Sequence, residues 1–136
     1  MNGLFVDSNV ILDLFLDDPQ WGDWAEATLT RLSDEYVFYI NSIIYTEVSL
    51  AFQRIEELEA ALSEGGFQLT TFPREALFLA GKAFRRYRKN KGPRTTPLPD
   101  FFIGAQATVL GVPLVTREIN RYRTCFPTLA LIHPES

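Results

Sequence analysis

The chain has 136 residues, 46% of them hydrophobic and 22% charged, with a net charge of -4. That size and composition suit one globular domain over residues 1–136 and exclude a disordered chain, a fibrous repeat or a two-domain enzyme with a separate cofactor module. A single cysteine, Cys125, excludes an internal disulfide framework and a zinc site built on several thiolates, and fits a reducing, cytoplasmic setting. No apolar run approaches the ~20 residues of a membrane helix and no basic and apolar leader opens the sequence, so a soluble, unprocessed protein with no membrane partner is expected.

In chain order, Leu4, Phe5 and Val6 form an apolar run ending in Asp7, and Ile11, Leu12, Leu14 and Phe15 follow with helical spacing: strand, turn, helix. Asp18 before Pro19 predicts a helix start, with a capping oxygen and a proline at the first helical position. Tyr36 to Ile40 is aromatic and β-branched and suits a buried strand. Ser42 is the predicted cap of a helix carrying Ile44 and Val48, which continues or restarts from Arg54 to Leu62 and stops at Gly65 and Gly66. Phe67, Leu69 and Thr71 alternate as a strand, and Pro73 opens a helix. That helix sets Ala76, Leu77, Ala80, Ala83, Phe84 and Tyr87 on one face and Lys82, Arg85, Arg86 and Lys89 on the other. Lys91 to Pro99 reads as a loop. Asp100 opens a compact helix closed by Gly111. A strand at Pro113 to Thr116, a helical turn at Ile119 to Tyr122 and a strand at Leu129 to Ile132 complete the pattern. Short apolar strands alternating with amphipathic helices predict an α/β sandwich with a mostly parallel central sheet, whose ligands sit at the carboxyl ends of strands.

The total charge hides a polarity. Met1 to Glu64 holds thirteen acids against two bases, and Gly65 to Ser136 holds four acids against eleven bases, seven of them between Lys82 and Arg94. A solvated helix face and an anion-binding face are both consistent with the basic run.

Four acids stand where this architecture aims them at one crevice: Asp7 after the first strand, Glu47 in the helix after the second, Asp100 at a helix start and Glu118 after the Val115 strand. Asp7 could equally cap the helix near Ser8, Asp100 could be a plain cap, and Glu47 could point outward. Carboxylates gathered together repel one another, and a divalent cation relieves that repulsion; an all-oxygen donor set favours Mg2+ or Mn2+ over zinc.

Phe5-Val6-Asp7-Ser8-Asn9-Val10, Tyr45-Thr46-Glu47-Val48, Pro99-Asp100-Phe101-Phe102-Ile103-Gly104-Ala105 and Leu114-Val115-Thr116-Arg117-Glu118, in that order, resemble the PIN-domain ribonucleases, and among them the VapC-type toxins of toxin-antitoxin pairs. The resemblance extends through Arg121-Tyr122-Arg123-Thr124 and Phe126-Pro127 to the last strand. It implies a three-layer α/β/α PIN fold and a metal-dependent endoribonuclease with Asp7, Glu47 and Asp100 as acidic ligands. It also implies a homodimer silenced by a cognate antitoxin. The family usually has an aspartate at the position of Glu118, which carries the same charge one methylene farther out. Asn9 and Thr116 stand where relatives use small polar residues to support the site, and local capping is their alternative role. On this reading Arg85, Arg86 and Lys89 supply the RNA phosphate contacts that an acidic site cannot. Two rivals remain in view. An aspartyl-phosphate phosphatase also opens with a strand ending in an aspartate, but has a second aspartate where this chain has Asn9. A catalytically silent domain that binds only protein or RNA would need none of the acids.

Overall fold

The computed structural model describes residues 2–90 and 98–135. Five strands, β1 (Asn2–Val6), β2 (Tyr36–Ile40), β3 (Phe67–Leu69), β4 (Leu114–Val115) and β5 (Leu131–Ile132), form one sheet in the order β3-β2-β1-β4-β5, and every pairing is parallel. Between them run α1 (Ser8–Phe15), α2 (Gly22–Leu32), α3 (Ser42–Ser49), α4 (Ile55–Glu64), α5 (Arg74–Asn90), α6 (Leu98–Leu110) and α7 (Ile119–Cys125). The expected α/β/α sandwich is the fold observed. Among the described residues no helix is long and apolar enough to cross a membrane.

Because parallel strands need crossover helices that cover the sheet, the central strand must be apolar on both faces. Leu4, Phe5 and Val6 are all fully buried. The chain starts in the middle of the sheet, builds outward through β2 and β3, then returns to lay β4 on the other side of β1. The order therefore reverses between β1 and β4, where the loops leaving adjacent strands diverge and open a crevice.

Several local expectations shift by a residue or a turn. Asp18 caps a turn, accepting from the backbone N–H of Gln20 (3.0 Å) and Trp21 (2.8 Å), and α2 begins only at Gly22 rather than at Pro19. Asn41, not Ser42, caps α3, its Oδ1 accepting from the Ile44 N–H at 2.9 Å. Glu56 to Leu62 belongs to a restarted helix, α4, and not to a continuation of α3. Asp100 lies inside the first turn of α6, which starts at Leu98. Of the predicted Lys91 to Pro99 loop, residues 91–97 lie outside the described residues, and the remaining two are helical. Leu77 is exposed, because the buried stripe of α5 is the narrower line of Ala76, Ala80 and Ala83.

Two contacts set where the later helices sit. Asn41 Nδ2 donates to Gln106 Oε1 (2.8 Å), and Gln106 Nε2 donates to the Thr71 carbonyl (2.9 Å), so a fully buried amide pair ties the start of α3 to the middle of α6. Gly104 in α6 faces α7: a Cβ there would stand 2.5 Å from two carbons of the Phe126 ring and 3.1 Å from Tyr122. Phe126 is itself buried and packs on Phe101, with ring centroids 6.3 Å apart, so it has little room to retreat.

In an open helix, Gly→Ala would stabilise by about 1 kcal/mol through backbone entropy. For Gly104→Ala we expect a net destabilisation of about 1–2 kcal/mol instead, overpacking at Phe126 exceeding the propensity gain. Thermal denaturation of the variant reads the sign directly; a raised melting temperature would mean that the Phe126 ring yields freely.

Candidate functional site

Val6 pairs with Val115 across β1 and β4, so the residues that follow them, Asp7 and Thr116, leave the sheet side by side. The Asp7 N–H donates to the Val115 carbonyl at 2.9 Å, the last sheet-like bond before the strands part. Asp7 then caps α1, Oδ1 accepting from the Ser8 N–H at 2.8 Å. Its Oδ2 accepts from Thr116 Oγ1 (2.8 Å), Tyr122 Oη (2.9 Å) and Asn9 Nδ2 (3.3 Å). Capping and site formation are therefore one arrangement at Asp7, not alternatives.

Asp7 is 3% exposed, and burial pushes its carboxyl from 3.8 up to about 6, against the lowering effect of the Thr116 and Tyr122 hydrogen bonds; the Asp100 charge adds to the rise. Burial likewise raises Asp100, with Glu47 and Glu118 adding to it and Arg121 opposing. The Tyr122 hydroxyl, buried and facing Asp7 and Asp100, is pushed well above the usual phenol value and stays a donor. All four predicted acids thus come from separate elements into one electrostatically coupled group. Glu47 is held by Ser8 Oγ at 2.8 Å, and Glu118 stands at the first position before α7, its backbone N–H donating to Thr116 Oγ1 at 3.0 Å. The Glu118 side chain makes no capping bond and remains 41% exposed, at the rim of the group.

Asn9 and Thr116 are both in the site. Asn9 Nδ2 reaches Thr116 Oγ1 at 3.5 Å as well as Asp7, and its Oδ1 accepts from the Arg117 N–H at 3.3 Å. Arg85, Arg86 and Lys89 are exposed along α5 and are not part of the acidic group. Arg86 does line a concavity of about 170 Å³ with Thr124, Cys125 and Pro127, so the basic face of α5 borders the far end of the helix whose first turns carry Arg121 and Tyr122.

Residue types alone do not disclose four other participants. Arg121 bonds Asp100 Oδ2 through Nη1 at 3.0 Å, and its Nε lies 3.8 Å from Glu118. Tyr122 and Ser8 orient carboxylates as described. Arg117 forms a two-pronged pair with buried Asp13 (2.6 and 3.1 Å), its guanidinium 5.3 Å over the Trp21 ring. That pair clamps the turn after β4 onto α1. The available cue is that all four fall in the segments that carry the family resemblance, Ser8 next to Asp7, Arg117 next to Glu118, and Arg121 and Tyr122 shortly after it.

The donor chemistry, carboxylate oxygens in excess of local positive charge, fits a hard divalent cation. The side-chain positions are a different matter: among the described residues no three acidic, histidine or cysteine side chains stand in a group that could hold a metal ion.

A carboxyl that titrates near 6 when folded and near 3.8 when unfolded binds its proton more tightly in the folded state, so stability falls as pH rises between those values, by about 3 kcal/mol in the limit. Asp7→Asn abolishes that loss, but both carboxylate oxygens of Asp7 accept hydrogen bonds and an amide nitrogen cannot, so at least one donor is left without its acceptor at a cost of about 1 kcal/mol. In metal-free buffer the variant should therefore be less stable than the parent near pH 4 and more stable, by about 1–2 kcal/mol, at pH 7. Urea unfolding at the two pH values tests this, and a difference independent of pH would contradict the burial account.

No curated protein matches the sequence significantly. Among solved structures, the fold is similar to VapBC2 from Rickettsia felis, in a structure bound to a promoter DNA fragment (TM-score 0.74, 18% identity, 96% of this chain and 97% of that one). It is also similar to VapBC from Salmonella typhimurium, in a DNA-bound structure (TM-score 0.73, 14% identity, 98% of each chain), and to FitAcB from Neisseria gonorrhoeae (TM-score 0.70, 20% identity, 96% and 97%). Residues 4–127, spanning every acid of the site, match the PIN domain. The chain belongs to the PIN domain family.

Proposed function

We propose that this chain is a metal-dependent endoribonuclease that hydrolyses RNA phosphodiester bonds, the toxin of a toxin-antitoxin pair, working in the cytoplasm as a homodimer. The observation that carries this reading is the convergence of Asp7, Glu47, Asp100 and Glu118 at the strand-order reversal of a PIN fold. Asp7 and Asp100 would hold Mg2+ or Mn2+, with Glu47 and Glu118 completing the donor set. A divalent cation bound there lowers the pKa of a water and offsets charge on the phosphate.

The chain's own groups do the rest. Thr116, Tyr122 and Asn9 fix the Asp7 carboxylate in one orientation, and Ser8 does the same for Glu47. Glu118, exposed at the rim, can orient a water or take its proton. Arg85, Arg86 and Lys89 hold the flanking backbone of the RNA, keeping a polyanion against an acidic centre. The antitoxin reading draws on the VapBC likeness and on a concavity whose apolar residues Tyr45, Phe52, Ile55 and Leu58 are edged by Ser49, Gln53 and Arg54, which an amphipathic helix would cover. A silent, binding-only PIN domain is the second reading, and it draws on Glu118, 41% exposed at the rim of the group, where the family usually has an aspartate.

Asp7→Asn and Asp100→Asn should each lower Mg2+- or Mn2+-dependent cleavage of single-stranded RNA at least ~100-fold while the fold survives, and Glu118→Gln should cost less, about 10-fold. A gel assay with and without EDTA decides. Metal binding without cleavage in the parent would favour the silent domain, and undiminished cleavage by Asp7→Asn would remove the acids from the chemistry.

The joint Arg85→Gln, Arg86→Gln, Lys89→Gln variant should bind RNA more weakly and flatten the dependence of log affinity on log salt by about 2, close to 0.7 for each lost contact with a single strand. Filter binding over a salt series measures it; an unchanged slope would make these residues a solvated helix face.

A further inference from the structure

The acidic group already contains a cation. Arg121 projects from α7 into it, with Nη1 3.0 Å from Asp100 Oδ2 and Nε 3.8 Å from Glu118 Oε2. The Asp100 side chain is 10% exposed, and Glu47 and Glu118 both act on it electrostatically. A carboxylate so buried needs a positive partner, and among the described residues this guanidinium is the one paired with it. The Arg121 side chain is 37% exposed, so unlike Tyr122 beside it, which is 1% exposed, it can swing into solvent without opening a hole in the core. Asp13 and Arg117 show the contrast within the same fold: there the guanidinium is bonded through two nitrogens to one carboxylate and covered by Trp21, an arrangement suited to permanence.

We propose that Arg121 is a resident, displaceable counterion of the acidic group, and that a divalent cation enters by displacing its guanidinium from Asp100 and Glu118. The proposal rests on the metal-dependent reading above. It also rests on the Arg121 guanidinium already standing on two of the four carboxylates that would hold the metal, Asp100 and Glu118. Arg121 is on this account a positioning residue that sets the metal concentration at which the site fills, holding the acids together when metal is scarce and competing with it when metal arrives.

The test titrates Mn2+ alone, with no RNA, into the parent, Arg121→Gln, Arg121→Lys and Asp7→Asn, reading free Mn2+ by electron paramagnetic resonance, with melting curves taken with and without Mn2+. Arg121→Gln should bind Mn2+ about fivefold more tightly than the parent, the upper range for a partly exposed ion pair. Without metal it should melt lower, and it should gain more in melting temperature from Mn2+. Arg121→Lys, which keeps the charge, should stay near the parent, and Asp7→Asn should bind far more weakly. Equal or weaker Mn2+ binding by Arg121→Gln would overturn the competition while leaving the metal reading standing, as would an Arg121→Lys variant that binds as tightly as Arg121→Gln. Absence of Mn2+ binding in both the parent and Arg121→Gln would remove the metal reading and this proposal together.

Discussion

A carboxylate with almost no access to water stands at the carboxyl end of the central strand, and the surrounding structure is arranged to tolerate it. Asp7 cannot be moved outward, since its backbone is bonded to β4 and caps α1. Desolvation of its charge is offset by four donors from three places in the chain: the start of α1, the residue after β4, and α7. The offset is incomplete, which is why the group titrates near 6. Such a group stays mostly charged at neutral pH at a cost to stability, which a cation bound beside it would offset.

The remaining acids depend on packing that itself contains no charge. The Asn41 and Gln106 amides fix α3 against α6 and so fix the approach of Glu47 to Asp100, while the bare backbone of Gly104 lets α7 close on α6 until the Tyr122 hydroxyl reaches Asp7. A methyl group at residue 104, some way from any carboxylate in sequence, would act on the site through the Phe126 and Tyr122 rings. The positive side chains divide by burial. Arg117 is locked to Asp13, Arg121 is held but partly exposed, and the α5 bases face solvent. That gradient runs from structural clamp through site counterion to candidate RNA contact.

Much of this was legible in the amino-acid sequence. An apolar run ended by an acid located β1 and Asp7, because a parallel central strand must be apolar on both faces. The alternation of short strands and amphipathic helices located the architecture, and two acids that follow strands, Asp7 and Glu118, with two carried by helices, Glu47 and Asp100, were legible as one set because the carboxyl edge of a doubly wound sheet gathers such positions. The departures are local: Pro19 points to a helix three residues early because Asp18 caps a turn first, and Ser42, a residue type able to cap, stands next to Asn41, which supplies the cap.

Tertiary structure alone decided which partner each carboxylate takes. That Asp100 meets the Arg121 guanidinium depends on how α7 packs against α6, and that is set by ring packing at Gly104, Phe126 and Phe101, which has no periodicity to read. Hydrogen bonds between residues more than a hundred positions apart, such as Thr116 and Tyr122 to Asp7, leave no local trace in composition or spacing. The sequence by itself determined the fold class and the acids, because burial and periodicity are properties of neighbouring residues. The pairing of charges inside the crevice was decided only when the layers closed, because electrostatic partners are chosen by distance in space.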